Sequence, residues 1–237
     1  MSEITLGDYS KHSSVDDIFN AYANLGELKD FFYHWGGFNE WLFLKINGIR
    51  GDYYDAMMVL ISKLGDKTLF PLYIACIASF ALLSLLLRKL LKKGGVSARL
   101  TMWFGILLVL IIGFAVNVAF THVTKDLFGY PRPYVALANQ NIHLLEAPRS
   151  IDDGHRSFPS GHVAFITLLI IGLWPAFRDD WKWYSLLLIV VEGWSRISVG
   201  MHFPADVLGA ATFSTLIVIG VRYAIYTTLR KIFNLVC

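Results

Sequence analysis

Three short polar stretches interrupt an otherwise apolar chain, and together they hold three cations, two histidines and two carboxylates. The first runs from Lys125 to Pro133 and includes Arg132. The second is Pro159-Ser160-Gly161-His162, and the third runs from Ser195-Arg196 through His202 to Asp206. An arginine fork matches phosphate oxygens, and a lysine adds a point charge. Gly129, Pro131 and Pro133 stop a helix and let Arg132 turn back toward Lys125. Ser160 reads as a helix N-cap with Gly161 in the first turn, so free backbone N–H groups and the positive end of a helix dipole face an anion there. His162 sits in that same turn. Pro204 suits the first helical position, which puts Asp206 in the first turn and within reach of His202. A carboxylate on one imidazole nitrogen fixes the tautomer and leaves the other nitrogen free to attack. Lys125, Arg132, Arg196 and the helix N–H groups then neutralise phosphoryl oxygens, a role often played by a divalent cation. One histidine attacks and the other protonates the leaving oxygen. No metal or other cofactor is expected.

These stretches meet only if the elements between them bring them to one end of the molecule. Of 237 residues, 55% are hydrophobic and 16% charged, against about 25% charged in a soluble domain. The composition predicts an all-α, polytopic transmembrane helix bundle and argues against a soluble enzyme or a coiled coil. Two cysteines argue against a disulfide scaffold, and a net charge of +3 gives no case for a nucleic-acid partner. A span needs roughly 20 apolar residues. Five stretches read as spans: 68–87, 100–121, 163–177, 183–199 and 204–226. The loop holding Arg88, Lys89, Lys92, Lys93 and Arg99 carries no acid and is expected in the cytoplasm. Counting spans from that loop places all three polar stretches on the opposite face, so they converge.

Residues 1–66 differ from the rest. They hold ten acids against five Lys or Arg and no long apolar run. Aromatics cluster from Phe31 to Phe43 around Gly36-Gly37. Such a segment suits the bilayer–water interface. The expected division is therefore an interfacial N-terminal segment, 1–66, with a possible sixth span, followed by a transmembrane catalytic domain, 67–237. Within the first, residues 27–50 are expected to lie on the outer leaflet and line a lateral entrance for lipid. No signal peptide is expected, because the start lacks a basic stretch followed by an apolar one.

The three polar stretches resemble the three-part signature of the type 2 phosphatidic acid phosphatase (PAP2) superfamily: Lys-x6-Arg-Pro, Pro-Ser-Gly-His and Ser-Arg-x5-His-x3-Asp. Every signature position is present, in order, across residues 125–206. The resemblance implies that His202 becomes a phosphohistidine, that Asp206 orients it and that His162 is the general acid. It also implies that Lys125, Arg132, Ser160, Gly161 and Arg196 hold the phosphate. The implied activity is metal-independent hydrolysis of a membrane lipid phosphate or pyrophosphate. Candidates are phosphatidic acid, phosphatidylglycerophosphate, polyprenyl pyrophosphate and lipid A 1-phosphate. Transfer from the same phosphohistidine to an acceptor lipid is the alternative, and a non-catalytic lipid-binding protein is a weaker one. The expected location is a bacterial inner membrane, with the active site facing the periplasm or exterior.

Other polar residues receive plainer readings. Glu192 precedes Arg196 by four residues, so the two share a helix face, and Glu192 is expected to fix Arg196 from behind. Asn117 is expected to make an interhelical hydrogen bond. His122, His143 and His155 lack partners at motif spacing and read as ordinary loop residues.

Overall fold

The computed structural model describes residues 33–147 and 151–236. The chain divides into two compact units, residues 1–41 and 42–237. In the first, the described residues form a 3-10 turn, Trp35–Gly37, and the start of helix α1, Phe38–Asn47. The rings of Phe38 and Trp41 stack there with centroids 5.2 Å apart. Residues 27–32 of the expected entrance segment, and the acids up to Asp30, lie outside the described residues.

In the second unit every regular element among the described residues is helical. The main helices are α2 (Asp52–Leu64), α3 (Phe70–Leu90), α4 (Val96–Phe128), α5 (Gly161–Gly172), α6 (Asp179–Ser198) and α7 (Pro204–Val236). Residue type sets two of the ends that matter. Gly129 adopts the left-handed conformation, φ +58°, and its N–H donates to the Lys125 carbonyl at 3.1 Å, which closes α4. Pro204 opens α7 as expected, since the missing N–H would be unpaired there anyway.

Three helical stretches, Lys67–Leu90, Val96–Ala136 and Pro204–Arg230, are long and apolar enough to cross a membrane. They account for three of the five expected spans. The other two expected stretches are helical as well, one shorter and one more charged at its ends. α5 has 12 residues, and most of them are buried against α4, α6 and α7. α6 is long enough, but it carries Asp179, Asp180 and Lys182 in its first turns and Glu192 and Arg196 near its end. Its last turns serve the polar site, not the lipid.

The core forms where α5 meets its neighbours. Leu110 of α4, Leu168 of α5 and Val218 of α7 are fully buried in one cluster. A chain of hydrogen bonds crosses the same three helices. Asn117 Nδ2 donates to Ser214 Oγ at 2.9 Å, and that hydroxyl donates to the Ala164 carbonyl at 2.8 Å. The interhelical bond expected of Asn117 is therefore present. At the far end of α5, Arg222 donates to the carbonyls of Ile171 and Gly172 and satisfies a helix terminus.

The helix before the first long apolar one belongs to the larger compact unit. The compact unit begins at Leu42, and α2 packs along α6. Tyr54 shares a 2.8 Å hydrogen bond with Ser198 and accepts another from Trp194. Asn47 donates to the carbonyls of Ser198 and His143, while the His143 N–H donates back to its Oδ1 at 2.9 Å. Polar bonds of this kind leave no trace in an apolar-run analysis. That is why 42–66 reads as a separate segment from sequence.

Between α6 and α7 the chain turns at Gly200, φ +83°. A Cβ there would lie 2.8 Å from the His143 carbonyl oxygen. Gly200→Ala should therefore suffer both a left-handed backbone, about 1–2 kcal/mol, and a backbone clash. We expect the midpoint of thermal unfolding in detergent to fall by at least about 2–4 °C, the shift for 1 kcal/mol at this size. An unchanged midpoint would mean the turn relaxes freely.

Candidate active site

The three polar stretches meet at one end of the bundle. α4 delivers Lys125 one turn before its end, α5 begins at Gly161, α6 carries Arg196 in its last turn, and α7 opens two residues after His202. The link between the second and third stretches is direct: the Ser160 N–H donates to the Asp206 carbonyl at 3.1 Å.

His202 and Asp206 are buried. His202 Nδ1 lies 3.4 Å from Asp206 Oδ2, long for a hydrogen bond but in the orientation that fixes the tautomer. The same oxygen accepts from Ser157 Oγ at 2.6 Å and from the Phe203 N–H at 2.8 Å. Asp206 is thus anchored on two sides before it touches the imidazole. Ser157 was not singled out from sequence, and its only signal is its place two residues before Pro159. Burial holds His202 well below the usual histidine range, and the charges of Arg132, Arg196, Lys125 and His162 push the same way. The imidazole is neutral at physiological pH, as a nucleophile must be.

The cations are held by oxygens around the rim. Lys125 Nζ donates to the Arg156 carbonyl at 2.8 Å. Arg132 is buried; its Nε donates to the Asp153 carbonyl at 2.8 Å and its Nη1 to the Met201 carbonyl at 3.3 Å. Its own backbone N–H donates to the Gly154 carbonyl at 2.7 Å, so the loop after α4 is folded against residues 153–156.

Arg196, only 2% exposed, departs from expectation. Its Nη1 donates to Glu146 Oε2 at 2.7 Å and to Ser62 Oγ, and Ser62 also bonds Glu146. The carboxylate that fixes Arg196 is Glu146, from the loop before α5, and not Glu192. Glu192 is buried, and its Oε1 has no hydrogen-bond partner among the described residues. It packs instead against Gly65, where an added Cβ would lie 2.3 Å from that oxygen and 3.0 Å from the His162 Cβ. Positions i and i+4 share a helix face, but Arg196 extends away toward α2 and the loop. Among the described residues its Nε has no hydrogen-bond partner, which leaves one donor for an anion.

Ser160 occupies the N-cap position of α5 as expected, yet its side chain makes no cap bond. Its Oγ is fully buried and unpartnered among the described residues. A buried hydroxyl without a partner is costly, and a bound phosphate oxygen would relieve it.

A cavity of about 190 Å³ is lined by Lys125, Arg132, Gly161, His162, Arg196 and His202. That is several times the ~30 Å³ share of one water, so a phosphoryl group fits. The same cavity reaches Phe114 and Val118 on α4 and Phe165 and Leu168 on α5. From Phe114 to Lys125 the helix rises roughly 16 Å, so the cavity is cationic at one end and apolar at the other. Two histidines read as loop residues have defined partners. His122 lies inside α4 and lines this cavity. His143 bonds Asp55 through Nε2 at 2.8 Å and helps hold α2 to the loop before α5.

Residues 106–230, more than half of the chain, match the family model of the PAP2 superfamily. The chain is 28% identical over 173 residues to an undecaprenyl-diphosphatase of Sulfolobus acidocaldarius, covering 73% of this chain and 71% of that one. It is 33% identical over 124 residues to the undecaprenyl-diphosphatase BcrC of Bacillus subtilis, covering 52% and 56%. Among solved structures, the fold is similar to LpxE of Aquifex aeolicus, with a TM-score of 0.53, 24% identity, and 76% and 92% coverage. It is also similar to a transmembrane PAP2-type phosphatidylglycerolphosphate phosphatase of Bacillus subtilis, with a TM-score of 0.59, 18% identity, and 81% and 86% coverage. With the three-part signature gathered around one cavity and more than half of the chain matching the family, this protein belongs to the PAP2 superfamily.

Proposed function

We propose that this PAP2 phosphatase hydrolyses a lipid phosphate or pyrophosphate through a phosphohistidine on His202, without a metal. The observation that carries the reading is the cavity itself. It places a buried neutral imidazole among three cations at one end and continues between α4 and α5 along an apolar wall. The headgroup phosphate sits among Lys125, Arg132 and Arg196, while the first part of a lipid chain follows the wall. The undecaprenyl-diphosphatase names of the relatives support a membrane lipid substrate.

With its proton on Nδ1 facing Asp206, His202 presents Nε2 to phosphorus. As Nε2 bonds to phosphorus, the bond from phosphorus to the leaving oxygen breaks. His162, in the first turn of α5 beside the cavity, supplies the proton that oxygen needs. Nδ1 gains positive character, and the Asp206 carboxylate stabilises it. The three cations and the Ser160–Gly161 turn meet the charge on the equatorial oxygens. Water then attacks phosphorus, His162 takes its proton, and Nε2 leaves. The hydrogen bond of 3.4 Å between His202 and Asp206 is expected to shorten when phosphate is bound, as catalytic contacts often do. The positive charge of the loop 88–99 supports a site on the periplasmic or exterior side.

His202→Ala should abolish labelling of the protein by a ³²P-lipid phosphate. His162→Ala should slow turnover of a natural alkyl leaving group by about 10²–10⁴-fold and a nitrophenyl phosphate far less. Acid-labile label persisting in His202→Ala would overturn the nucleophile assignment.

Because side-chain cations surround the phosphoryl group, turnover should survive EDTA, and vanadate should inhibit as a mimic of the trigonal-bipyramidal transition state. Activity lost to EDTA and restored by Mg²⁺ would show that a metal does part of this work.

A further inference from the structure

The cavity holds a second group of basic side chains that no step above uses. Lys67 opens the 3-10 turn Lys67–Leu69 just before α3, and Arg156 lies in the loop before α5. His122 stands three residues before Lys125 on α4, and so lies one turn away on the same face. Lys67, His122 and Arg156 all line the cavity that contains His202.

Their contacts with one another are frustrated. Lys67 Nζ is 3.3 Å from His122 Nε2, and Arg156 Nη2 is 3.5 Å from His122 Nδ1. A neutral imidazole has one lone pair and one N–H. It can accept from only one of the two cations and must turn its N–H toward the other. A protonated imidazole would be worse, with three positive groups in contact. Asp126 pairs with Arg156 through Nη1, and Asp66 accepts from the Thr68 N–H at 2.9 Å as the cap of its turn. An anion placed among the three would accept from both cations and from the imidazole N–H together.

Arg156 also fixes where such an anion would lie. Its backbone carbonyl holds the Lys125 ammonium at 2.8 Å, while its side chain faces His122. The two cationic groups are therefore consecutive levels of one cavity, about one helical turn, ~5.4 Å, apart along α4.

We propose that Lys67, His122 and Arg156 form a second anion subsite, and that it holds the phosphate remaining on the lipid when the substrate is a lipid diphosphate. The proposal rests on the phosphohistidine reading and adds the substrate class. The terminal phosphate sits among Lys125, Arg132 and Arg196. His202 Nε2 bonds to its phosphorus, the bond from that phosphorus to the bridging oxygen breaks, and His162 protonates the oxygen. The lipid monophosphate leaves from the second subsite. Water cleaves the phosphorus–nitrogen bond and releases inorganic phosphate. A lipid monophosphate would leave the second subsite empty and forgo its charge pairing.

The test compares a polyprenyl diphosphate with the polyprenyl monophosphate of equal chain length, in detergent micelles with the full chain, by release of inorganic phosphate. The unaltered protein should prefer the diphosphate. In Lys67→Gln/Arg156→Gln the ratio of kcat/KM, diphosphate over monophosphate, should fall at least tenfold, and Lys67→Arg should keep it. Lys67→Gln alone, at an exposed position, keeps the test readable if the double variant folds poorly, with a fall of at least threefold expected. As an independent measure, inorganic diphosphate should inhibit the unaltered protein more strongly than inorganic phosphate, and the double variant should lose that difference. An unchanged ratio in both variants would overturn the subsite. So would an unaltered protein that hydrolyses the monophosphate and not the diphosphate, which would leave the phosphatase reading standing. No turnover of either lipid would overturn the phosphatase reading and the subsite with it.

Discussion

The constraint on which the structure depends is the gathering of like charges around a buried imidazole. Lys125, Arg132 and Arg196 line one cavity with His202, and burying even one unpaired cation is costly. The fold meets that cost with oxygen atoms drawn from several segments. Lys125 takes the Arg156 carbonyl, Arg132 takes those of Asp153 and Met201, and Arg196 takes the Glu146 carboxylate. One of the three cations has a carboxylate partner among these bonds, and the others rely on carbonyl dipoles. The site therefore keeps a net positive field for an arriving anion. Burial first, and that field second, hold His202 well below the usual histidine range, so the charges that would bind phosphate also favour a neutral imidazole.

α5 explains how a bundle of lipid-facing helices supports such a site. It is too short to match the long helices on its flanks, and it is buried among them. Its N-terminus consequently lies well inside the bundle's outer edge, beside Lys125 and His202. The hydrogen bonds from Asn117 through Ser214 to Ala164 fix its depth near that end, and Arg222 caps its other end.

The residues that line the cavity could be related in the sequence because their spacing is local. Lys125 and Arg132, Ser160 and His162, and His202 and Asp206 each lie within one or two turns of one another, so spacing alone relates them. The groups that hold them were not legible. Ser157 reaches Asp206 across 49 residues, and Ser62 reaches Arg196 across 134. Neither bond leaves a periodic pattern, since each depends on where a loop falls after the helices pack. Glu192 misled for the same reason. Sharing a helix face with Arg196 is a local fact, but the choice between Glu192 and Glu146 is a tertiary one. The long apolar helices were plain from hydropathy, whereas the polar end of α6 takes its partners from loops that hydropathy does not relate to it.

Glu146 shows how far the site extends beyond its motifs. The loop that carries it is tied to α2 at both ends of its last stretch. Asn47 and Asp55 hold His143, and Ser62 holds Glu146. α2 in turn is bonded to the end of α6 through Tyr54 and Ser198. Arg196 is thus set by a closed circuit of α6, α2 and the loop, and α2 contains no motif residue. A carboxylate supplied from α6 itself would hold Arg196 whatever the rest of the chain did. A carboxylate supplied from the loop holds it only when α2 is docked. The setting of Arg196 is in this way a property of the larger unit folded together, in which α2 takes part as much as the helices that carry the motifs.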